Sequence, residues 1–413
     1  MTLAKTTILT GISTLIKLSV AFAINKIIAV NAGPAGLAII GQLQNFISIS
    51  TIASNGAITN GVIKYTAEYT QETEKQHLFS TALKISVLSA IFVSVIIFIF
   101  STQISMKLFG TQDYKNILYI FSFTIIFYSL NTLFLSILNG QKEINKYVFA
   151  NIANSIFSLL IVGVLTVNYG LKGALYALVT TQSVVFFITL FFIVKSNWFT
   201  LAYFTQRFNT IEAKKLSHFS LMGIVSIISA LGSILVVRYY IGINLSWVEA
   251  GYWQGIIYIS DAYLMLITLT LSVYYLPKFS EIQDKNKLKR EIINSYKWII
   301  PIVSSMAIVI FMLKVIIIEL LFSKDFYPMV TLFKWQLIGD VIKMSSWVLG
   351  YLLIAKSLTK LFVSTEIIFS ISFVMLAILF INLYGLIGVT YAFSLNYLLY
   401  FLTMLYITTT KVL

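Results

Sequence analysis

The chain has 413 residues, 59% of them hydrophobic and only 11% charged, with a net charge of +14 and no cysteine. Soluble domains carry about 25% charged residues, and no soluble core of this length could bury so much apolar side chain, so the surplus must face lipid. The same figures exclude disulfides and cysteine metal sites, and the Lys and Arg excess sits in short loops rather than on a soluble domain, which argues against nucleic-acid binding.

A membrane span needs about 20 mostly apolar residues, and twelve are predicted along the chain. The first, 7–30, follows Met1-Thr-Leu-Ala-Lys5 with no small-residue cleavage site, so it reads as a spanning helix and not a removable signal. It holds Lys17 near its middle and Lys26 nearer its end. The second, 36–63, is rich in polar uncharged side chains, among them Gln42, Asn45 and Asn60, and runs into Lys64. Such groups either bond sugar hydroxyls in a cavity or tie helices to one another.

Spans three to six are expected at 78–100, 116–139, 147–168 and 172–195, and the first six contain no Asp or Glu. The second half is expected to span at 216–240, 250–276, 296–322, 331–355, 361–382 and 386–409. The longest loops are expected at 196–215 and 277–295, and the mixed charge run at 281–291 reads as a solvated loop or surface helix. Two six-helix halves, 1–200 and 201–413, follow from this count.

If the N-terminus is cytoplasmic, the cytoplasmic loops and ends hold 18 Lys and Arg and the other side holds 4, namely Lys107, Lys115, Lys172 and Lys324. The positive-inside rule then puts both termini in the cytoplasm. The two histidines, His77 and His218, lie too far apart in sequence to suggest a metal site.

The halves repeat one another. Tyr169-Gly-Leu-Lys-Gly-Ala-Leu-Tyr-Ala177 and Tyr384-Gly-Leu-Ile-Gly-Val-Thr-Tyr-Ala392 agree at six of nine positions. At a similar offset Leu9-Thr-Gly-Ile12 matches Leu221-Met-Gly-Ile224, Lys26 meets Arg238, and Gln42 meets Gln254. Because six is even, these are parallel repeats.

Ionisable groups at membrane depth cost several kcal/mol unless paired or wetted, so they are functional candidates. Lys17, Asp261, Asp340 and Lys343 fall near span centres. Asp340 and Lys343, three apart, share a helix face on which they could pair. Lys314, Glu319 and Lys334 lie toward the outer ends of their spans and Glu366 toward an inner end, where snorkelling or interfacial pairing is the simpler reading. Bases in both halves (Lys17, Lys26, Arg238) with acids in one suit an anionic headgroup such as pyrophosphate.

Several strings are more specific than this pattern: Gly33-Pro-Ala-Gly-Leu37, Asn60-Gly-Val-Ile-Lys64-Tyr65, Leu108-Phe-Gly-Thr-Gln-Asp-Tyr114, Trp253-Gln-Gly255, Ile259-Ser-Asp-Ala-Tyr263, and Trp335-Gln-Leu-Ile-Gly-Asp340-Val-Ile-Lys343 through Lys356. Through them the whole chain resembles the Wzx flippases of lipid-linked oligosaccharides, members of the multidrug/oligosaccharidyl-lipid/polysaccharide superfamily. The resemblance implies an all-α membrane protein of two six-helix bundles in a V, like the multidrug and toxin extrusion fold, and no enzymatic activity. It implies translocation of a polyprenyl-pyrophosphate-linked unit from the cytoplasmic to the periplasmic leaflet of a bacterial inner membrane. The resemblance further implies that membrane lipid surrounds the tail and that the polymerase machinery acts downstream as a candidate partner.

The O-antigen and enterobacterial common antigen members share these strings. Within the resemblance, the chain's abundance of Ile, Asn, Lys, Phe and Tyr fits an AT-rich, exchanged O-antigen cluster, which makes an O-antigen repeat unit the expected substrate and the common antigen unit the alternative. The expected cavity set is Lys17, Lys26, Gln42, Asn45, Asn60, Lys64, Arg238, Gln254, Asp261, Asp340 and Lys343. The resemblance further implies coupling to H⁺ or Na⁺ with Asp261 and Asp340 as candidates, and no bound cofactor. A drug or cation exporter of the same fold would want acids in the first half, which are absent. A membrane polymerase or ligase would want large outward loops, and those here are short.

Overall fold

The computed structural model describes residues 3–356 and 358–412, without the side chains of 3–10, 218–227 and 273. The side chains of Lys5 and His218 and of most of the Leu9/Leu221 repeat match therefore lie outside what is described. Within them the chain is helical and holds no strand.

The first half begins with α1 (Leu3–Ser54), a single 52-residue helix interrupted at Gly33. Pro34 follows the interruption, at a helix-starting position where its missing N–H costs nothing. Then come α2 (Thr59–Glu68), α3 (Glu72–Ile99), α4 (Ser101–Phe109), α5 (Lys115–Gly140), α6 (Ile144–Val194, interrupted at Gly170) and α7 (Ala202–Thr205).

The second half begins with α8 (Thr210–Asn244) and α9 (Trp247–Thr270), whose end passes through a π turn at Leu271–Tyr275 into α10 (Leu276–Glu281). It continues with α11 (Lys285–Met312), α12 (Lys314–Leu321), a 3-10 stretch at Lys324–Leu332, α13 (Phe333–Ala355), α14 (Thr359–Tyr384) and α15 (Ile387–Ile407).

Eight of these helices are long and apolar enough to cross a membrane. Taking α1 and α6 as two segments each, and adding α8 and the more polar α9, twelve segments alternate across the bilayer, as the sequence predicts.

Three expectations are corrected. The second span ends at Ser54, not near 63, because Gly56 (φ 67) and Ala57 (φ 53) turn the chain before α2. The stretch 277–295, expected as a loop, is mostly helical: Asp284 Oδ1 caps Lys287 N–H at 2.7 Å and α11 starts at Lys285, so the charge run takes the surface-helix form of the two read for it. Started there, 28 residues give a rise of about 42 Å. α11 ends at Met312, so Lys314 and Glu319 do not continue the expected span 296–322 but lie in a separate short helix, α12.

The Tyr-Gly-Leu-x-Gly repeat does the same work twice. Gly170 (φ 57, ψ −140) and Gly385 (φ 66, ψ −151) take a backbone conformation that L side chains avoid, and each reverses the chain between two spans. Three residues on, the returning helix crosses so close that a Cβ on Gly173 would lie 1.9 Å from the Leu165 carbonyl oxygen. On Gly388 it would lie 2.0 Å from that of Phe380.

The chain divides into two compact units, Met1–Ala32 with Ile39–Ile227, and Gly33–Ala38 with Ile228–Leu413. The segment 196–209 belongs to the first because it is fastened to α3. Ser80 Oγ and Lys84 Nζ donate to the Gln206 carbonyl at 2.6 and 2.5 Å, and Asn209 N–H donates to Thr81 Oγ1 at 3.1 Å. Phe79 packs on Trp198, Tyr203 and Phe204 with ring centroids 5.5–6.2 Å apart.

Beside this segment, Tyr69 donates to Glu212 Oε2 at 2.7 Å, while Lys215 Nζ donates to Tyr69 OH at 2.6 Å and to Glu212 Oε1 at 2.8 Å. The cluster lies outside the spanning segments. Burial, chiefly, pushes the Tyr69 phenol up to about 12. The hydrogen bonds to Glu212 and Tyr69 hold the Lys215 ammonium above its ordinary value. Both groups are raised on folding. Their contribution is therefore complete below the unfolded values of about 10 and 10.4 and is lost as pH climbs through the folded ones. Stability from this cluster is expected to be flat from about pH 5 to 9 and to fall above about pH 10. Tyr69→Phe should remove part of that alkaline fall at a neutral-pH cost below about 1 kcal/mol, since the site is solvent-screened. Thermal unfolding followed against pH in detergent measures both.

Candidate functional site

In the second unit, α8, α9, α13, α14 and α15 enclose a cavity of about 260 Å³. Each of the last four gives it a stripe at helical spacing: Trp253, Ile257 and Ser260 with Asp261 on α9; Gln336, Asp340, Lys343 and Trp347 on α13; Glu366, Phe369 and Phe373 on α14; Phe393, Tyr397 and Tyr400 on α15. Residues spaced by three and four lie on one helix face, so the stripes need no irregular backbone.

Asp340 is fully buried and saturated. Ser260 Oγ and Tyr263 OH donate to its Oδ2 at 2.6 and 2.9 Å, and Gln336 Nε2 donates to Oδ1 at 3.2 Å. Asp261, one residue past Ser260, points the other way, is exposed within the cavity and forms no hydrogen bond or ion pair among the described residues. Glu366 accepts from Tyr400 OH at 3.1 Å.

Lys343 forms no ion pair among the described residues. Its ammonium lies among aromatic faces, 5.0 Å from the Trp347 centroid, 5.7 Å from Tyr397 and 5.9 Å from Phe393, an arrangement that stabilises a cation without neutralising it. The expected pairing of Asp340 with Lys343 is thus corrected. Sharing a face brings two groups near each other, but the neutral donors of α9 reach the carboxylate first.

The other expected site residues are distributed as follows. Arg238 is buried and does not line the cavity; its guanidinium lies 5.9 Å from the ring of Trp253, which does. Gln254 is also buried and does not line the cavity. Lys17, Lys26, Gln42, Asn45, Asn60 and Lys64 belong to the first unit. There Lys17 Nζ donates to Asn151 Oδ1 at 2.6 Å, joining α1 to α6. Gln42 is buried, Lys26 and Asn45 are half-buried, and Asn60 and Lys64 are exposed on α2.

The cavity therefore holds three carboxylates against one ammonium. Inside the second unit this suits a cation or a sugar better than a pyrophosphate, because most of the bases counted from sequence do not face it. Glu366, expected at the inner interface, lines the cavity instead. The aromatic stripe of α15 carries no charge to single it out, and its only signal in the sequence is a spacing of four and three.

Residues 32–331 match the family described as polysaccharide biosynthesis protein. Over 402 residues, 97% of this chain and 97% of the relative, the sequence is 30% identical to the lipid III flippase of Escherichia coli (strain K12). It matches that of Shigella flexneri at the same level. Among solved structures the fold is similar to a multidrug resistance MATE family transporter of the MOP superfamily in its inward-facing conformation. The TM-score there is 0.75, with 14% identity over 96% of this chain and 99% of the other. It is also similar to the lipid II flippase MurJ, inward closed, with a TM-score of 0.72 and 20% identity over 98% and 88%. At these identities the structural likeness speaks for the fold alone. It is the expected all-α, multi-pass membrane fold, shared with transporters rather than enzymes.

Proposed function

Since the chain belongs to the polysaccharide biosynthesis protein family, we propose that it is a flippase of lipid-linked oligosaccharides. The observation that carries this is the 30% identity to a lipid III flippase across 97% of both chains. Lipid III carries the common antigen trisaccharide, so this relative supports the alternative substrate named above, while an O-antigen repeat unit belongs to the same class. We place the protein in the bacterial inner membrane with both termini cytoplasmic, on the 18-to-4 distribution of Lys and Arg. The undecaprenyl-type pyrophosphate carrier and the downstream polymerase enter as substrate lipid and partner.

In this reading the first unit supplies the bases for the pyrophosphate, Lys17 and Lys26, with Gln42, Asn45, Asn60 and Lys64 along its polar helices. The acid-rich cavity of the second unit takes the coupling ion, H⁺ or Na⁺. Asp261 exchanges with solution, Asp340 fixes α9 to α13, and Lys343 competes with the incoming cation. Arg238 and Gln254 support the cavity from behind.

Deleting the gene in its host, with analysis of surface glycans and of polyprenyl-linked intermediates, tests this. The expected result is loss of one surface polysaccharide with its lipid-linked unit trapped on the cytoplasmic side. Wild type should restore it, and Lys17→Ala should restore at least about ten-fold less, the value of one lost charge-assisted contact of about 1.4 kcal/mol or more. Which glycan disappears decides between O-antigen and common antigen. Both intact, with altered drug resistance, would overturn the proposal.

A further inference from the structure

Helix α13 has a second face that the cavity does not use. Leu337, Ile338 and Val341 line a separate apolar groove of about 330 Å³, closed on its other side by Ser304, Ile308 and Phe311 of α11. The groove opens away from the protein, with Ile308 55% and Ile338 40% exposed. It runs about eight residues along each helix, about 12 Å, close to half of a hydrocarbon core of about 30 Å. Its depth is therefore that of one leaflet.

Its mouth is cationic. Lys334, in the first turn of α13, lines it, with its ammonium 5.7 Å from the Trp335 ring. Lys314, two residues past the end of α11, holds its ammonium 3.8 Å from the ring of Phe311, a wall of the groove. Neither lysine forms an ion pair among the described residues. Glu319, five residues past Lys314, accepts a hydrogen bond from Tyr327.

We propose that this groove binds an anionic glycerophospholipid of the leaflet opposite the chain termini, which is the outward leaflet in the orientation given above. One acyl chain lies along the apolar walls and the phosphate sits between Lys314 and Lys334. Two ammoniums at headgroup depth attract a net negative head, and an apolar track one leaflet deep matches a chain that stays in its leaflet. The groove's own lining ends at Val341, short of the length a carrier tail crossing the midplane would need. Because α13 carries Asp340 and Lys343 on its other face, lipid bound here bears on the cavity through one helix.

Native mass spectrometry of the purified full chain, titrated with phosphatidylglycerol and with phosphatidylethanolamine, tests this without reading transport, so its failure is distinct from failure of the flippase reading. Wild type is expected to retain phosphatidylglycerol preferentially. Lys314→Ala and Lys334→Ala should each weaken retention about five-fold. Ser304→Trp should abolish it by filling the groove with both ammoniums in place. Equal retention of the two lipids, or unchanged phosphatidylglycerol binding in the double lysine variant, would overturn the proposal. So would displacement of phosphatidylglycerol by an equimolar polyprenyl phosphate, which would give the groove to the carrier.

Discussion

Asp261→Asn is expected to leave thermal unfolding within about 0.5 kcal/mol of wild type while removing gradient-driven translocation. Its neighbour in the cavity, Asp340, is expected to behave in the opposite order, failing first in stability. The two acids lie on adjoining helices and line one cavity, but they are held differently. Asp261 is exposed to the cavity and forms no hydrogen bond or ion pair among the described residues, so replacing its carboxylate with an isosteric amide breaks no direct contact there. What changes is the charge with which a cation can associate. One coupled charge is worth about 2.3 kcal/mol per 100 mV of membrane potential, or about 50-fold in accumulated substrate. Uptake of a lipid-linked oligosaccharide analogue into proteoliposomes, with and without an imposed ion gradient, measures it. A variant that still responds to the gradient as wild type does would remove Asp261 from the coupling role.

Asp340→Ala, by contrast, strips the acceptor from Ser260, Tyr263 and Gln336 at once inside a buried site. Leaving buried donors without acceptors costs about 1–3 kcal/mol each, and relaxation of the hydroxyls recovers part of the sum. A net loss of about 3–5 kcal/mol is expected, in the range seen when a buried charged network is broken from one side. Asp340→Asn keeps the shape and one acceptor oxygen, so it should fall between Asp340→Ala and wild type. Equal stability of Asp340→Ala and wild type would show that the three hydrogen bonds do not hold α9 to α13.

Gly388→Ala is expected to be as damaging as Asp340→Ala, and Gly173→Ala equally so, although neither glycine touches a charged group. The methyl would lie 2.0 or 1.9 Å from a main-chain carbonyl oxygen of the preceding span. A backbone oxygen cannot step aside as a flexible side-chain tip can. Overpacking of this kind costs about 1–3 kcal/mol where the surroundings yield and more where they do not, so about 3–5 kcal/mol is expected here. Cold control substitutions are available two residues away: Leu175→Ala should show only the ordinary loss of a buried apolar side chain, about 2–5 kcal/mol, without moving the turn. The distinction is read from amide exchange at 169–177, where Gly173→Ala should open the turn and Leu175→Ala should not. Unaltered exchange in Gly173→Ala would mean the close crossing is dispensable.

The sequence by itself determined that this is a membrane protein, that its segments number twelve, and that two Tyr-Gly-Leu-x-Gly turns punctuate it in corresponding places. Hydrophobic length, loop charge and glycine are local properties, and lipid imposes the helix on any apolar stretch long enough, because unsatisfied backbone groups have no other partner there. The faces of α13 and α15 were also legible, since Gln336, Asp340, Lys343 and Trp347, like Phe393, Tyr397 and Tyr400, repeat at helical spacing.

Only the tertiary structure decided which charges meet. Arg238 and Lys343 look alike in sequence as bases within spans, yet one is buried against Trp253 and the other stands in the cavity. Asp340 and Lys343 share a face, yet Ser260 and Tyr263, some eighty residues away, take the carboxylate. Glu366 lies toward an inner helix end by its sequence position, yet it accepts from Tyr400 and lines the cavity. The physical reason is that a side chain's position along its own helix is fixed by the local repeat. Its partner is set by the packing of helices distant in sequence, and hydrophobic pattern carries no information about which polar groups that packing brings within hydrogen-bonding distance.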